Sequence, residues 1–244
     1  NEDAKLVSKE LDLTLTTRDR NKPPEERTPM CGVPYHSCEG YIARLIAKGY
    51  KVAICEQTED PALAKGLVDR DIIRVVTPGT VIASSMLEEG KNNYICAIYA
   101  DSVGLGLCLC DISTGECFAT SFPAGAEAQE HLENELGRFH PAEAVLSDGA
   151  WQLDGLTDFL TQRLDCTCEH GGEARFRPEA ARALAQKQFR SGLDALPEGN
   201  TGALQAAGGL LSYLYETQKT DLSHIAALTY YTAGQFMELD LTAR

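Results

Sequence analysis

YICAIYADSVGLGLCLCDISTGECFATS, residues 94–121, is the stretch on which the fold turns. Three runs, Tyr94–Tyr99, Gly104–Asp111 and Glu116–Ser121, are dense in apolar and β-branched residues and predict strands. Asp101-Ser-Val-Gly104 and Ser113-Thr-Gly115 are short turn sequences between them, so the three runs predict an antiparallel meander. Downstream the periodicity changes. A helix is expected near 124–137, a short strand over 142–147 after His140-Pro141, a helix near 153–163 and a strand near 164–168. A last helix is expected from Pro178, favoured in a first helical turn, to about Phe189.

The order βββαβαβα is that of an RNase H-like sheet with helices on its faces. Upstream, residues 3–11 predict an amphipathic helix, and alternation of Leu13 and Leu15 with Thr14 and Thr16 predicts a half-buried strand over 12–18. Residues 19–30 (DRNKPPEERTPM) combine three prolines with dense charge and predict a surface loop. Ser37 is placed to cap a helix reaching Lys48, Gly49 to end it, and Lys51–Glu56 and Ile72–Gly79 to form strands, the first of them buried. The expected fold class is therefore α/β: a small mixed-sheet α/β unit over 1–80, a linker over 81–91, an RNase H-like unit over 92–195, and the start of a mainly helical unit over 196–244. A long Ala/Leu/Gly helix from Thr201 and strands at Leu228–Tyr231 and Phe236–Leu241 would open that last unit.

The 244 residues carry 43% apolar and 24% charged side chains, globular averages that exclude collagen-like, wholly disordered and coiled-coil chains. No window offers the roughly 20 uninterrupted apolar residues of a membrane span, and the start, Asn1-Glu2-Asp3, is acidic where a signal peptide is basic. The chain begins without Met and stops after a strand-like run, and it is read as a fragment. The nine cysteines are odd in number and contain no Cys-x-x-Cys pair, so buried thiols in a reducing cytosol are expected rather than zinc ribbons. Charge is uneven within the total of −14. Residues 1–80 hold 12 Lys and Arg against 13 Asp and Glu, and residues 81–244 hold 10 against 23. Contact with a polyanion is expected in the first third.

No G-x-x-x-x-G-K-[ST] phosphate loop and no Gly-x-Ser-x-Gly elbow occur, and the five histidines are scattered, so neither ATP hydrolysis nor a hydrolase triad is expected of this chain. The RNase H-like order raises a metal-dependent nuclease as an alternative. Such chemistry needs a carboxylate inside the first meander strand, where Tyr94–Tyr99 has none; Asp101 and Asp111 lie at strand ends and read as turn formers. No metal ligand and no catalytic residue is assigned. A protein-binding adaptor without DNA contact is the other alternative.

Pro29-Met-Cys-Gly-Val-Pro-Tyr-His36, Ala53-Ile-Cys-Glu-Gln-Thr-Glu-Asp-Pro61, Lys65-Gly66, Arg74-Val-Val-Thr-Pro-Gly-Thr80, Asn93-Tyr94, Asp111-Ile-Ser-Thr-Gly115, Thr217-Gln-Lys-Thr220 and Met237-Glu-Leu-Asp240, in that order, resemble landmarks of bacterial MutS-type DNA mismatch-repair proteins. The resemblance implies a recognition domain followed by a connector domain, taken from a homodimeric, ATP-controlled clamp. That clamp binds mismatched duplex DNA and recruits a MutL partner in the bacterial cytoplasm at the nucleoid. ATP and magnesium would belong to an ATPase domain outside this sequence. The family's Phe-x-Glu wedge is not in this chain and is expected upstream of Asn1. For DNA contact the resemblance singles out Arg18, Arg20 and Lys22, and Pro34, Tyr35 and His36; for the MutL contact it singles out Ala183, Leu184 and Lys187. The fragment itself is expected to be monomeric, free of cofactor and not an enzyme.

Overall fold

A computed structural model describes residues 2–17, 20–59, 68–82, 86, 90–197 and 202–233. The first unit opens with helix α1 (Glu2–Leu11), which ends where Asp12 takes a left-handed conformation at φ 55°. The strand expected over 12–18 is only Thr16–Thr17 (β1), paired antiparallel with Pro29–Met30 (β2). Leu15 stays exposed, so its alternation with threonine did not mark a buried face. Helix α2 (Cys38–Ile46) follows a single 3-10 turn over Tyr35–Ser37. Ser37 is its N-cap residue, but the Ser37 hydroxyl donates back to the Pro34 carbonyl at 3.2 Å instead of capping the helix. Gly49 adopts φ 79° and closes the helix, its N–H donating to Ile46 O at 2.8 Å.

β3 (Val52–Gln57) and β4 (Arg70–Val76) form an antiparallel ribbon with a register shift at Ile54/Cys55. The expectation of a buried strand over Lys51–Glu56 is corrected here. A two-stranded ribbon covers only one face, and Ala53, Cys55, Glu56 and Gln57 are exposed. The small core of the unit holds Ile46, Val76 and Val81, with Ile42, Val52 and Ile54 packed on it.

The second unit is built on one six-stranded mixed sheet. Its strands are β5 (Tyr94–Ala100), β6 (Gly104–Asp111), β7 (Glu116–Pro123), β8 (Glu143–Leu146), β9 (Thr167–His170) and β10 (Thr229–Tyr230), in the spatial order β10-β7-β6-β5-β8-β9. The meander pairs antiparallel, β8 lies parallel to β5, and β9 lies parallel to β8. Counting from β5, the order 3-2-1-4-5 is the RNase H-like arrangement expected from the succession of elements.

Period-2 alternation divides β5 between two cores. Ile95 and Ala97 face one cluster with helices α6 (Pro178–Gln188) and α7 (Gly202–Gln218). Cys96 and Ile98 face another with α3 (Ala128–Phe139) and the short helices α4 (Asp148–Trp151) and α5 (Leu156–Asp158). The helix expected near 153–163 runs over 156–163, its last five residues, Phe159–Arg163, in a π-turn, and the short α4 precedes it.

Helix α7 lies inside this unit. It is buried on nearly every side: Gly106 meets the backbone of Gly202, Gly208 meets Ala181, and Gly209 meets the ring of Phe176. A helix apolar all round has no face to give to water, so it packs between the sheet and α6 rather than beginning a separate unit at residue 196. The strand at 228–231 joins the same sheet, β10 running parallel to β7, with Tyr231 N–H donating to Ala119 O at 3.0 Å. The strand expected over Phe236–Leu241 falls outside the described residues.

Candidate nucleic-acid face and the seam behind it

Pairing of β1 with β2 brings two sequence-marked groups to the ends of one short ribbon. Beyond β2 the chain runs extended to Pro34 and turns at Tyr35-His36-Ser37 into α2. Proline at 34 fixes the entry to that turn, and Pro34, Tyr35 and His36 are all exposed, Tyr35 at 90%. At the ribbon's other end, Arg20 and Lys22 are exposed on the loop before β2. Arg27 organises that loop, its Nε donating to Lys22 O at 2.8 Å and its Nη2 to Arg20 O at 3.1 Å. The planar two-pronged donor spans both carbonyls at once. Arg27 was not singled out from sequence, because nothing in a proline-rich run says which arginine folds back. Arg18 lies outside the described residues.

The three residues marked for a protein partner separate on α6. Ala183 points outward and lines a shallow groove of about 300 Å³ with Pro178, Glu179, Arg182 and Gln186. Leu184 is half-buried against the sheet core, and the Lys187 ammonium sits 5.2 Å over the Tyr215 ring.

Asp101 and Asp111 both accept hydrogen bonds from turn donors. Asp101 Oδ1 accepts from Val103 N–H at 2.8 Å and Gly104 N–H at 3.1 Å. Asp111 Oδ1 accepts from the Ser113 N–H and hydroxyl at 2.8 and 2.6 Å, and its Oδ2 from Asn93 N–H at 3.1 Å. Both hold turns, at opposite ends of the β5–β6 pair. Among the described residues no group of three or more His, Cys, Asp or Glu is arranged to hold a metal ion.

Behind the face the two units meet at a polar seam. Thr77-Pro78-Gly79-Thr80 forms a 3-10 turn whose threonines cap each other, Thr77 N–H donating to Thr80 Oγ1 at 2.9 Å. The turn lies on Glu143, the first residue of β8, which is wholly buried. Glu143 Oε2 accepts from the Thr77 hydroxyl and from Gly79 N–H at 3.0 Å, and Oε1 accepts from the Tyr213 hydroxyl at 2.6 Å. Burial, with the neighbouring Glu143 charge adding to it, pushes the Tyr213 phenol far above its ordinary range. Arg74 reaches across, Nη2 to Thr80 O at 2.7 Å and Nε to Gln218 Oε1 at 3.1 Å. Burial holds that guanidinium below its usual value. Asn93 Nδ2 donates to Pro78 O at 3.0 Å, and at the rim Lys51 pairs with Glu169 at 2.6 Å. Glu143 and Tyr213 escaped the sequence reading, and Gln218 entered it only inside the Thr217-Gln-Lys-Thr220 stretch. The one available signal was a glutamate opening a run, Glu143-Ala-Val-Leu146, that is otherwise apolar.

The chain thus joins a small α/β unit bearing an exposed aromatic turn to a unit built on an RNase H-like sheet. Two family models match the chain. "MutS domain I" matches residues 1–85 and "MutS domain II" matches residues 93–226, so the second match includes α7. The chain belongs to the MutS family. It is 44% identical over 244 residues to the DNA mismatch repair protein MutS of Acetivibrio thermocellus, covering 99% of this chain and 27% of that protein. It is 43% identical to MutS of Pelotomaculum thermopropionicum, over 100% of this chain and 28% of the relative. The chain thus spans little more than a quarter of the length of the curated relatives it matches.

Proposed function

We propose that this chain is the DNA-contacting front of a mismatch-recognition protein, joined to the connector that links it to the rest of the molecule. Residues 1–80 are the recognition unit, 81–91 the linker, and the connector runs from residue 92 through α7 and β10. The whole protein would bind mismatched duplex DNA as a homodimeric clamp controlled by ATP and magnesium and recruit MutL, in the cytoplasm at the nucleoid. Nucleotide and magnesium would be held elsewhere in it, since this chain contains no phosphate-loop sequence.

The observation that carries the reading is Tyr35, 90% exposed on a rigid Pro-led turn, in the unit whose charges nearly balance, while the strongly acidic connector would repel phosphate. Pro34, Tyr35 and His36 would lie along the sugar–phosphate edge, with Arg18, Arg20 and Lys22 supplying salt-sensitive, sequence-blind contacts. Such contacts position a duplex and leave base discrimination to other residues. On α6 the MutL-facing side would be marked by exposed Ala183, with Leu184 turned toward the sheet core and Lys187 lying over Tyr215.

Titration of this chain with duplex DNA at low and moderate salt tests the reading. The expected result is weak binding, at about 10⁻⁴ to 10⁻⁶ M, with little preference for a mismatch and with loss of affinity in Tyr35→Ala. Absence of binding at every salt concentration would instead favour a protein-binding adaptor.

A further inference from the structure

We propose that Glu143 is a positioning residue that latches the Thr77–Thr80 turn onto β8 and α7, so that both units move as one body and the Pro34–His36 face is held at one angle to the sheet. The purpose given to the face rests on the reading above; the latch does not.

Three donors converge on this carboxylate and none is a sequence neighbour: Thr77 and Gly79 stand 66 and 64 residues before it, Tyr213 70 residues after it. Two come from the recognition unit and one from α7, so a single buried side chain ties together three segments that share no local structure. A buried carboxylate is costly unless its oxygens are satisfied, and here both oxygens are. An apolar residue of similar size would fill the space yet allow the units to slide. Directional bonds to two groups on one turn allow one register only.

The packing points the same way. A Cβ added at Gly79 would lie 2.7 Å from Ile95 Cβ and 2.8 Å from Glu143 Cβ, so the turn backbone rests directly on the sheet. Arg74 and Gln218 brace the latch from the side, Gln218 Nε2 also donating to Val75 O at 3.4 Å.

The test uses the full-length protein that contains this chain, as wild type and as Glu143→Gln, Glu143→Ala and Thr77→Val. Amide hydrogen exchange is followed over 74–80, which contains the Gly79 donor, and over 105–110 in the sheet core; duplex affinity is measured across salt concentrations. Glu143→Ala is expected to speed exchange at 77–80 by at least about tenfold while 105–110 keeps its protection. Thr77→Val, which leaves the sheet untouched, should move exchange in the same direction. Glu143→Gln retains an acceptor oxygen for the turn and should stay within about threefold of wild type. Duplex affinity should fall in Glu143→Ala with an unchanged salt slope, because every cation remains and only its placement is lost.

Wild-type exchange at 77–80 in both Glu143→Ala and Thr77→Val overturns the latch. So does loss of protection over 105–110 equal to that over 74–80, which would make Glu143 a core residue and nothing more. If the seam opens as expected but Tyr35→Ala leaves duplex affinity unchanged, the nucleic-acid face fails and the latch stands.

Discussion

The Tyr213 hydroxyl donates to Glu143 Oε1 at 2.6 Å and both side chains are buried, so a phenol on α7 is tied directly to a carboxylate on β8. Burial and that negative neighbour keep the phenol protonated far beyond the range of a tyrosine in water.

An alkaline limit to stability follows, with a definite sign. The folded-state pKa of Tyr213 is raised above its unfolded value, so its contribution is fully present below about pH 10, the unfolded value, and is lost as pH climbs from there toward the folded one. Chemical denaturation between pH 8 and 11 should show constant stability at first. Above about pH 10 it should fall by up to about 1.4 kcal/mol per pH unit from this residue. Tyr213→Phe should flatten that limb and lower stability at neutral pH by about 1–3 kcal/mol, since Glu143 Oε1 loses its donor.

Gly79→Ala is the sharpest packing test. The new methyl would fall within 2.8 Å of both Ile95 Cβ and Glu143 Cβ, neither at the end of a flexible side chain. The backbone must shift, at a cost of about 1–3 kcal/mol. Thermal unfolding should report it as a lowered midpoint, whereas Gly137→Ala, which meets nothing within 4 Å, should not destabilise.

Arg20 and Lys22 are exposed, and substituting both by Ala should leave stability within about 0.5 kcal/mol. Duplex binding by the full-length protein should weaken, with the slope of log affinity against log salt reduced by about one for each residue that touches phosphate. Arg27→Lys keeps the charge but cannot span Lys22 O and Arg20 O together, so it should weaken binding with little change in slope. Anisotropy titrations at three salt concentrations separate these outcomes.

Thiol reactivity should divide the cysteines by burial. Burial pushes the Cys96 thiol well up; hydrogen bonds among Cys108, Cys110 and Cys117, together with burial, do the same for Cys110 and Cys117. Cys168 is lowered by the neighbouring Cys166 side chain and is partly accessible, and Cys55 is exposed. Iodoacetamide at neutral pH should therefore modify Cys55 and Cys168 in the native protein and reach Cys96, Cys110 and Cys117 only in denaturant, as peptide mass spectrometry would show.

What could be read along the chain was whatever depends on neighbours. The meander at 94–121 is legible because alternation and turn residues are local signals, and β5 does divide its odd and even residues between two cores. Gly49 closes α2 because only its own φ is at stake. Charge was legible as well, since summing it needs no coordinates. The exposed Pro34-Tyr35-His36 turn could be marked as a motif, though not as exposed.

The tertiary structure alone decided the rest. Lys51–Glu56 has the composition of a buried strand, but burial is fixed by how many neighbours a ribbon acquires, and this one acquires a single partner. α7 reads as the start of something new because it follows a Gly/Pro stretch; only the closeness of Gly208 to Ala181 and of Gly209 to Phe176 shows that it completes the sheet's core. Glu143 is the extreme case. A carboxylate costs free energy in an apolar strand until donors 66 residues upstream and 70 downstream arrive together, and donors so far apart in sequence meet only once the whole chain has folded.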